Sequence, residues 1–322
     1  MSAAAVQTVL DFGGQQVARL LDRVERRMNE LAGNHGPLLA RYAGQTITAG
    51  GKRLRPLLVF LAAGAPPPES DGLLRAAVAV ELIHGATLIH DDVLDGSPLR
   101  RGHPTVFAAG GRSMAIATGD LLFSRAFAEL AAAGSVEAVR VLARATRELA
   151  AGEVMQRSDA FATDLGVERY LERSRLKTAV LFRAACELGS LQADGEVDQL
   201  AIFGERIGLA FQILDDVLDV TGPPERTGKP RGTDLLDGTV TLPLIIARLR
   251  DPEVARVDLH QVQTPDAAAA LCDQIAATGA LADARERALE LVASAKQALP
   301  ALPKRQRTAL EFVADGVVER YT

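Results

Sequence analysis

The pentapeptide DDVLD occurs twice in this chain, at Asp91–Asp95 and again at Asp215–Asp219. Each copy lies in a segment whose apolar residues follow a helical period. Asp91 and Asp95 therefore share one helical face, as do Asp215 and Asp219, and Asp92 and Asp216 add a neighbouring carboxylate. Like charges at this spacing weaken a solvated helix only slightly. In a half-buried cleft the repulsion rises to ~4 kcal/mol. Two such clusters with apolar flanks call for cations. A carboxylate-only ligand set, with no cysteine or histidine at ligand spacing, suits a hard ion. Mg²⁺ bridging to phosphate oxygens is the usual case.

The basic residues carry the complementary chemistry. Gly50-Gly51-Lys52-Arg53-Leu54-Arg55-Pro56 opens a helix. The glycine pair lets backbone approach a ligand, and a helix start bearing Lys52 and Arg55 is an anion site. Arg100-Arg101-Gly102 follows the first acidic cluster, and arginine forks suit phosphate bidentately. Lys177-Thr178 lies in a later helix, and Lys229 follows Gly228 after the second cluster. Taken singly these are bland. An acidic helix face is usually solvated, Arg100-Arg101 reads as a loop, Lys177 as a surface lysine, His84 and His90 as core histidines, and Gln212 as a hydrogen bond inside a bundle. Two identical acidic pentapeptides, each preceded by Ile-His or Ile-Leu, are much harder to obtain by chance.

These groups need helices to position them. The period predicts helices near 3–32, 37–48, 54–64, 71–95, 113–133, 136–158, 167–191, 196–220, 240–250, 266–278, 281–298 and 303–319. The breaks carry ordinary turn chemistry, such as Ala65-Pro66-Pro67-Pro68 and Gly222-Pro223-Pro224. The longest irregular stretches, 96–112 and 221–239, each follow one DDVLD, and long loops in a helical protein are usually functional. The expectation is an all-α, single-domain helical bundle over residues 1–322, with its motifs in about 40–250 and further helices in about 251–322. Both clusters are expected at one rim, facing each other across a deep central cavity.

Composition agrees. The chain has 322 residues, 48% of them apolar and only 4% aromatic, with no Trp. Ala, Leu and Val carry the apolar content, which favours closely packed helices. A net charge of −5 without a basic stripe gives no support to nucleic-acid binding. Cys186 and Cys272 read as reduced core residues. The N-terminus lacks the pattern of a signal peptide, and the apolar windows are short or interrupted by Glu81 and His84, so the reading is a cytoplasmic protein with no transmembrane segment. Gly50-Gly51-Lys52 is not a P-loop, since Thr46 stands where its first glycine belongs and Arg53 where Ser or Thr belongs. No G-x-S-x-G, H-E-x-x-H or G-x-G-x-x-G occurs, so hydrolase, zincin and dinucleotide readings gain nothing.

In order, GGKRLRP, ELIHGATLIHDDVLDGSPLRRG, GDLLFSRAF, LKTAVLF and AFQILDDVLD…TGK…GTDLLDGTVTLP resemble the motifs of trans-isoprenyl diphosphate synthases, the polyprenyl synthetases, over about residues 40–250. The resemblance implies an all-α fold around a deep cavity, usually as a homodimer. It implies Mg²⁺-dependent, head-to-tail addition of isopentenyl diphosphate to an allylic diphosphate. By position, Asp91, Asp92 and Asp95 with Asp215, Asp216 and Asp219 would hold Mg²⁺. Lys52, Arg55, His84 and Arg101 would bind isopentenyl diphosphate. Arg100, Lys177, Thr178, Gln212 and Lys229 would contact the allylic diphosphate. Of these, Asp91, Asp92, Asp95, Arg100, Lys177, Asp215 and Asp216 are the catalytic candidates. One position departs: many short-chain members carry a lysine where this chain has Thr239.

Ala86 and Thr87, about one turn before Asp91, are small. An aromatic at that level stops growth early in the family, so the implied product is medium- or long-chain, with Phe123 or Phe127 as alternative caps. A farnesyl or geranylgeranyl synthase is the nearest alternative. A class I terpene cyclase and a non-catalytic partner subunit fit less well. The cyclase's second motif normally mixes Asn, Ser or Thr with an acid, and silent subunits usually lose acidic-motif residues that this chain keeps.

Overall fold

A computed structural model describes residues 9, 12–33, 41–42, 44, 51–100, 102–193, 195–222 and 230–319. The chain groups into two compact units. One comprises Met1–Thr146, Leu181–Gly204 and Ala298–Val313, and the other Arg147–Val180, Glu205–Gln297 and Ala314–Thr322.

The first unit is built on α1 (Gln15–Gly33), α2 (Leu54–Ala63), α3 (Asp71–Leu94) and α4 (Val106–Ala132). Helix α1 buries Val17, Leu20, Val24, Met28 and Leu31, the i, i+3/i+4 stripe of a helix with one core face. Helix α2 is apolar apart from Arg55 in its first turn and is buried from Pro56 to Ala63, and α3 packs on both α1 and α2. The Ser70 hydroxyl accepts from the Leu73 N–H at 3.0 Å and so caps the start of α3. Helix α3 is long and apolar enough to cross a membrane, but 67% of its apolar window is buried inside the protein, as in a core helix.

Helices α3 and α4 pack closely because small residues face large ones. A Cβ on Gly119 of α4 would lie 2.2 Å from His90 Nε2, and one on Gly85 of α3 would be 3.5 Å from Leu122. Buried carboxylates in this unit are clamped by arginines. Glu129 accepts from Arg27 and Arg75, and Glu81 from Arg53 at 2.8 Å. Between α3 and α4, β1 (Leu99–Arg100) pairs antiparallel with β2 (His103–Pro104).

The sequence places the start of α4 near 113, yet it begins at Val106. Thr105 caps it by accepting from the Ala108 N–H, and the backbone breaks at Gly111, where φ is 77°. The glycine pair at 110–111 is thus a kink within the element and not its beginning.

Helix α5 (Val136–Ser158) follows the expected span. The helix expected at 167–191 is interrupted: α6 (Val167–Ser174) leads into one π-helical turn, Arg175–Ala179, before α7 (Val180–Leu191). Helix α8 (Val197–Thr221) carries the second DDVLD. The stretch expected to be irregular after it contains α9 (Thr233–Leu236). Helices α10 (Leu242–Arg250), α11 (Pro252–Ala255), α12 (Pro265–Ala277), α13 (Ala280–Ala298) and α14 (Lys304–Glu319) complete the chain. Cys186 and Cys272 are both free and buried, and burial pushes the Cys272 thiol up to about 11.

Candidate active site

In the first unit the acidic pentapeptide forms the last turn of α3. Asp91 is half-buried and Asp95 exposed, whereas Asp92 turns inward and is 4% exposed. The reason is periodicity: position 92 continues the buried stripe through Ala86 and Ile89, so its carboxylate is carried into the packed side. Arg100, held on β1, meets it there. Its Nε and Nη2 lie 2.8 and 2.7 Å from Asp92 Oδ1. Burial pushes the Asp92 carboxyl above its usual value, Arg100 pulls it back, and the Asp95 charge adds to the rise.

The chain enters α2 with Arg53 in the left-handed region at φ 44°. Its guanidinium is fixed by Glu25 and Glu81. That strap positions exposed Lys52 on one side and half-buried Arg55 on the other. The Arg55 guanidinium lies 4.8 Å from the centroid of the Phe182 ring. His84 is half-buried on α3. His90, one residue before the cluster, stacks on Phe123 with ring centroids 5.8 Å apart. Ala86 is fully buried and Thr87 half-buried. Arg101 and Lys229 lie outside the described residues.

The second unit holds the other set. On α8, Asp215 is half-buried, while Asp216 and Asp219 are buried. Here too the second aspartate of the pentapeptide faces the packed side, but it is held by uncharged donors. Tyr170 Oη donates to Asp216 Oδ2 at 2.6 Å, and Gln212 Nε2 to Oδ1 at 2.7 Å. Gln212 Oε1 in turn accepts from Thr178 Oγ1 at 2.5 Å. Burial pushes Asp216 well above the ordinary carboxylate range, and the charge of Asp234 adds to this. The Tyr170 and Gln212 hydrogen bonds offset only part of it. A bound cation would reverse that balance. Asp219 Oδ2 accepts from the Asp234 N–H at 3.2 Å, tying α9 back to the cluster. Thr239 closes the same turn, its N–H 2.7 Å from the Asp234 carbonyl oxygen.

Lys177 and Thr178 both lie on the π turn. An i→i+5 turn inserts an extra residue into the helix and re-aims the side chains beyond it, and such turns cluster at functional sites. It is allowed here by Gly152 of α5, where a Cβ would lie 2.7 Å from the Lys177 nitrogen. Lys177 pairs with Glu153, its neighbour on that same helix.

Sequence reasoning named the aspartates, Arg100, Lys177, Thr178 and Gln212, and the structure links Arg100 to Asp92 and Thr178 to Gln212 and Asp216. It missed Tyr170, Glu153, and the clamp of Arg53 by Glu25 and Glu81. Nothing in the sequence marked Tyr170, whose part in the site comes from the Asp216 carboxylate it touches.

As for the metal, no three Asp, Glu, His or Cys side chains among the described residues converge into a ready-made cage. The donor set still fits Mg²⁺. That ion keeps several waters and takes one or two carboxylates plus substrate phosphates, in preference to an all-protein shell.

An all-α fold with two aspartate clusters and a lysine–threonine pair on a π turn defines a class that handles diphosphates. The model of the family described as Polyprenyl synthetase matches residues 37–277. Heptaprenyl diphosphate synthase component 2 of Geobacillus stearothermophilus is 41% identical over 245 residues, covering 75% of each chain. Solanesyl-diphosphate synthase 2, chloroplastic, of Oryza sativa subsp. japonica is 35% identical over 92% of this chain and 76% of that one. The crystal structure of polyprenyl synthase from Caulobacter crescentus CB15, complexed with calcium and isoprenyl diphosphate, matches with a TM-score of 0.92. It is 36% identical and covers 98% of each chain. The chain belongs to the polyprenyl synthetase family and is a prenyltransferase.

Proposed function

We propose that this protein adds isopentenyl diphosphate, head to tail, to an allylic diphosphate and releases a trans-polyprenyl diphosphate of medium or long chain. The observation that carries the reading is the duplicated aspartate cluster. Each copy sits on a long helix, with its second aspartate buried and hydrogen-bonded and its first half-buried. Asp91, Asp92 and Asp95 with Asp215, Asp216 and Asp219 would hold Mg²⁺. Bound there, the ion would supply positive charge to the diphosphate oxygens.

The protein's own groups do the rest. Arg100, Lys177 and Lys229 present positive charge to the allylic diphosphate, with Thr178 and Gln212 as hydrogen-bonding partners. They stabilise the charge that develops as the C–O bond breaks and the diphosphate leaves with the electron pair. Lys52, Arg55, His84 and Arg101 hold isopentenyl diphosphate so that its double bond attacks the allylic cation. The new C–C bond forms, and a proton leaves the isopentenyl unit to the departed diphosphate. No protein base is required: His90 Nε2 lies 3.3 Å from the Ile116 carbonyl oxygen and its ring stacks on Phe123. Apolar walls keep water from the cation.

Two things support the longer product. Ala86 and Thr87 are small, and the relatives just described are named for heptaprenyl and solanesyl products. We also propose a homodimer in the cytoplasm, for which two free cysteines speak mildly, as thiols persist in reducing compartments. A second reading rests on the Geobacillus relative, which is named a component: the chain would then need a partner of another kind. The purified chain alone, given Mg²⁺, isopentenyl diphosphate and a series of allylic starters, separates these. Condensation with products sized by chromatography supports the proposal. Activity only with an added partner supports the second reading, and no consumption of isopentenyl diphosphate removes both.

A further inference from the structure

Tyr170 has no role in the reading above, yet it makes a short hydrogen bond to the second cluster. It is 1% exposed, on α6, and its hydroxyl lies 2.6 Å from Asp216 Oδ2. The other Asp216 oxygen accepts from Gln212. Both donors are neutral. The contrast with the first pentapeptide is direct, because there the buried Asp92 is met by the Arg100 cation. A neutral donor fixes the direction of a carboxylate without cancelling its charge. The tyrosine is itself fixed. Its ring is packed in the core, and the Arg173 guanidinium lies 5.7 Å from the ring centroid. Arg173 is anchored in turn, donating to the Val240 carbonyl oxygen. A rigid phenol at the end of this chain leaves Asp216 one orientation.

We propose that Tyr170 is a positioning residue that aims the Asp216 carboxylate at the cation accompanying the diphosphate, and so sets the divalent-metal affinity of the second cluster. This rests on the reading of Asp216 as a metal ligand. Partners of this kind change metal affinity by about tenfold or more when removed.

The test is Tyr170→Phe, which deletes one oxygen and keeps the ring. Mn²⁺ binding in the presence of inorganic pyrophosphate, followed by electron paramagnetic resonance, should weaken about tenfold. The Mg²⁺ concentration giving half-maximal velocity should rise by the same factor, with kcat at saturating Mg²⁺ nearly unchanged. Ile275→Val, a conservative change at a buried core position, serves as the control for simple destabilisation and should leave Mn²⁺ binding as it was. Unchanged Mn²⁺ affinity in Tyr170→Phe, with a lower melting temperature, makes Tyr170 packing only and overturns the proposal. Asp216→Asn separates the underlying reading: if that variant also binds Mn²⁺ normally, Asp216 is no ligand and both ideas fall together. Should Tyr170→Phe not fold, 3-fluorotyrosine incorporated into the otherwise native chain, which has three tyrosines, gives a second readout. One fluorine resonance should shift on adding Mg²⁺ with pyrophosphate, and that shift should be missing in Asp216→Asn. No shift in the native chain overturns the proposal equally.

Discussion

The Lys177 ammonium lies 2.6 Å from Glu153 Oε2, across the narrow gap that Gly152 leaves between α5 and the π turn. Glu153 also accepts from Arg157 at 2.8 Å. Burial works against the charged form of Glu153, but Lys177 and Arg157 outweigh it, and its pKa is lowered below the ordinary 4.5. The folded state therefore holds the proton less tightly than the unfolded one. The stabilisation is complete above about pH 4.5, the unfolded value, and is lost as pH falls through the lower folded value. Glu153→Gln should thus cost on the order of 1 kcal/mol at pH 7 and progressively less under acid conditions. Urea unfolding of both proteins at neutral and acid pH reads the difference. A gap that stays constant in acid means the ion pair contributes nothing.

Gly152→Ala tests the same junction sterically. The added methyl would lie 2.7 Å from the Lys177 nitrogen and 2.9 Å from Leu176 carbons, so either α5 or the π turn must move. Overpacking of this sort costs about 1–3 kcal/mol. Because the displaced turn carries Lys177 and Thr178, kcat should fall by more than the loss of folded protein explains. Stability and kcat measured on the same preparation decide. A fully active, destabilised variant would show that the turn's position is immaterial to chemistry.

How far the sequence reaches is clear at this junction. The span 167–191 reads as one helix because its apolar period never breaks, and the α5 and α8 spans read correctly for the same reason. The π turn within it has no compositional mark. It sits where α5 comes close to its backbone at Gly152, a tertiary contact that local periodicity does not contain. The site divides likewise. Duplicated aspartates and paired cations are visible because their types and order are unusual. Tyr170, Glu153 and the Arg53 strap are ordinary residues whose meaning comes only from what they touch. The kink at Gly111 falls between these cases: the glycine is evident, but the Thr105 cap that starts α4 before it is one threonine among several and carries no mark of its own.

Arg53 allows two effects to be separated. Its guanidinium bonds Glu81, which is 5% exposed, at 2.8 Å, and its backbone is left-handed at φ 44°. Arg53→Ala should cost about 3 kcal/mol, because a buried carboxylate loses its cation. Arg53→Gly loses the same cation but relieves the backbone, and should be more stable than the alanine variant by ~1 kcal/mol. Guanidinium denaturation gives both values. Equal stabilities of the two variants would mean that the left-handed backbone is not strained. Both should raise KM for isopentenyl diphosphate more than they lower kcat, since Lys52 and Arg55 flank the strap.

The product-length proposal turns on α3. A helical side chain covers the surface over the turn N-terminal to its own Cα, so the residues before Asp91 lie along the direction a growing chain would take from the diphosphate. Ala86 is fully buried and Thr87 half-buried, its hydroxyl donating to the His84 carbonyl oxygen at 2.9 Å. Ala86→Tyr should shorten the product. Filling a packed position also costs about 1–3 kcal/mol, so Thr87→Phe, at the more open position, is made in parallel. Product lengths by chromatography, at equal conversion, are the measurement. If both variants yield the native length distribution, that face of α3 does not meet the growing chain. If only Thr87→Phe shortens it, the stop lies at position 87. If only Ala86→Tyr does, the prenyl chain runs along the buried face that also carries Ile89 and Asp92.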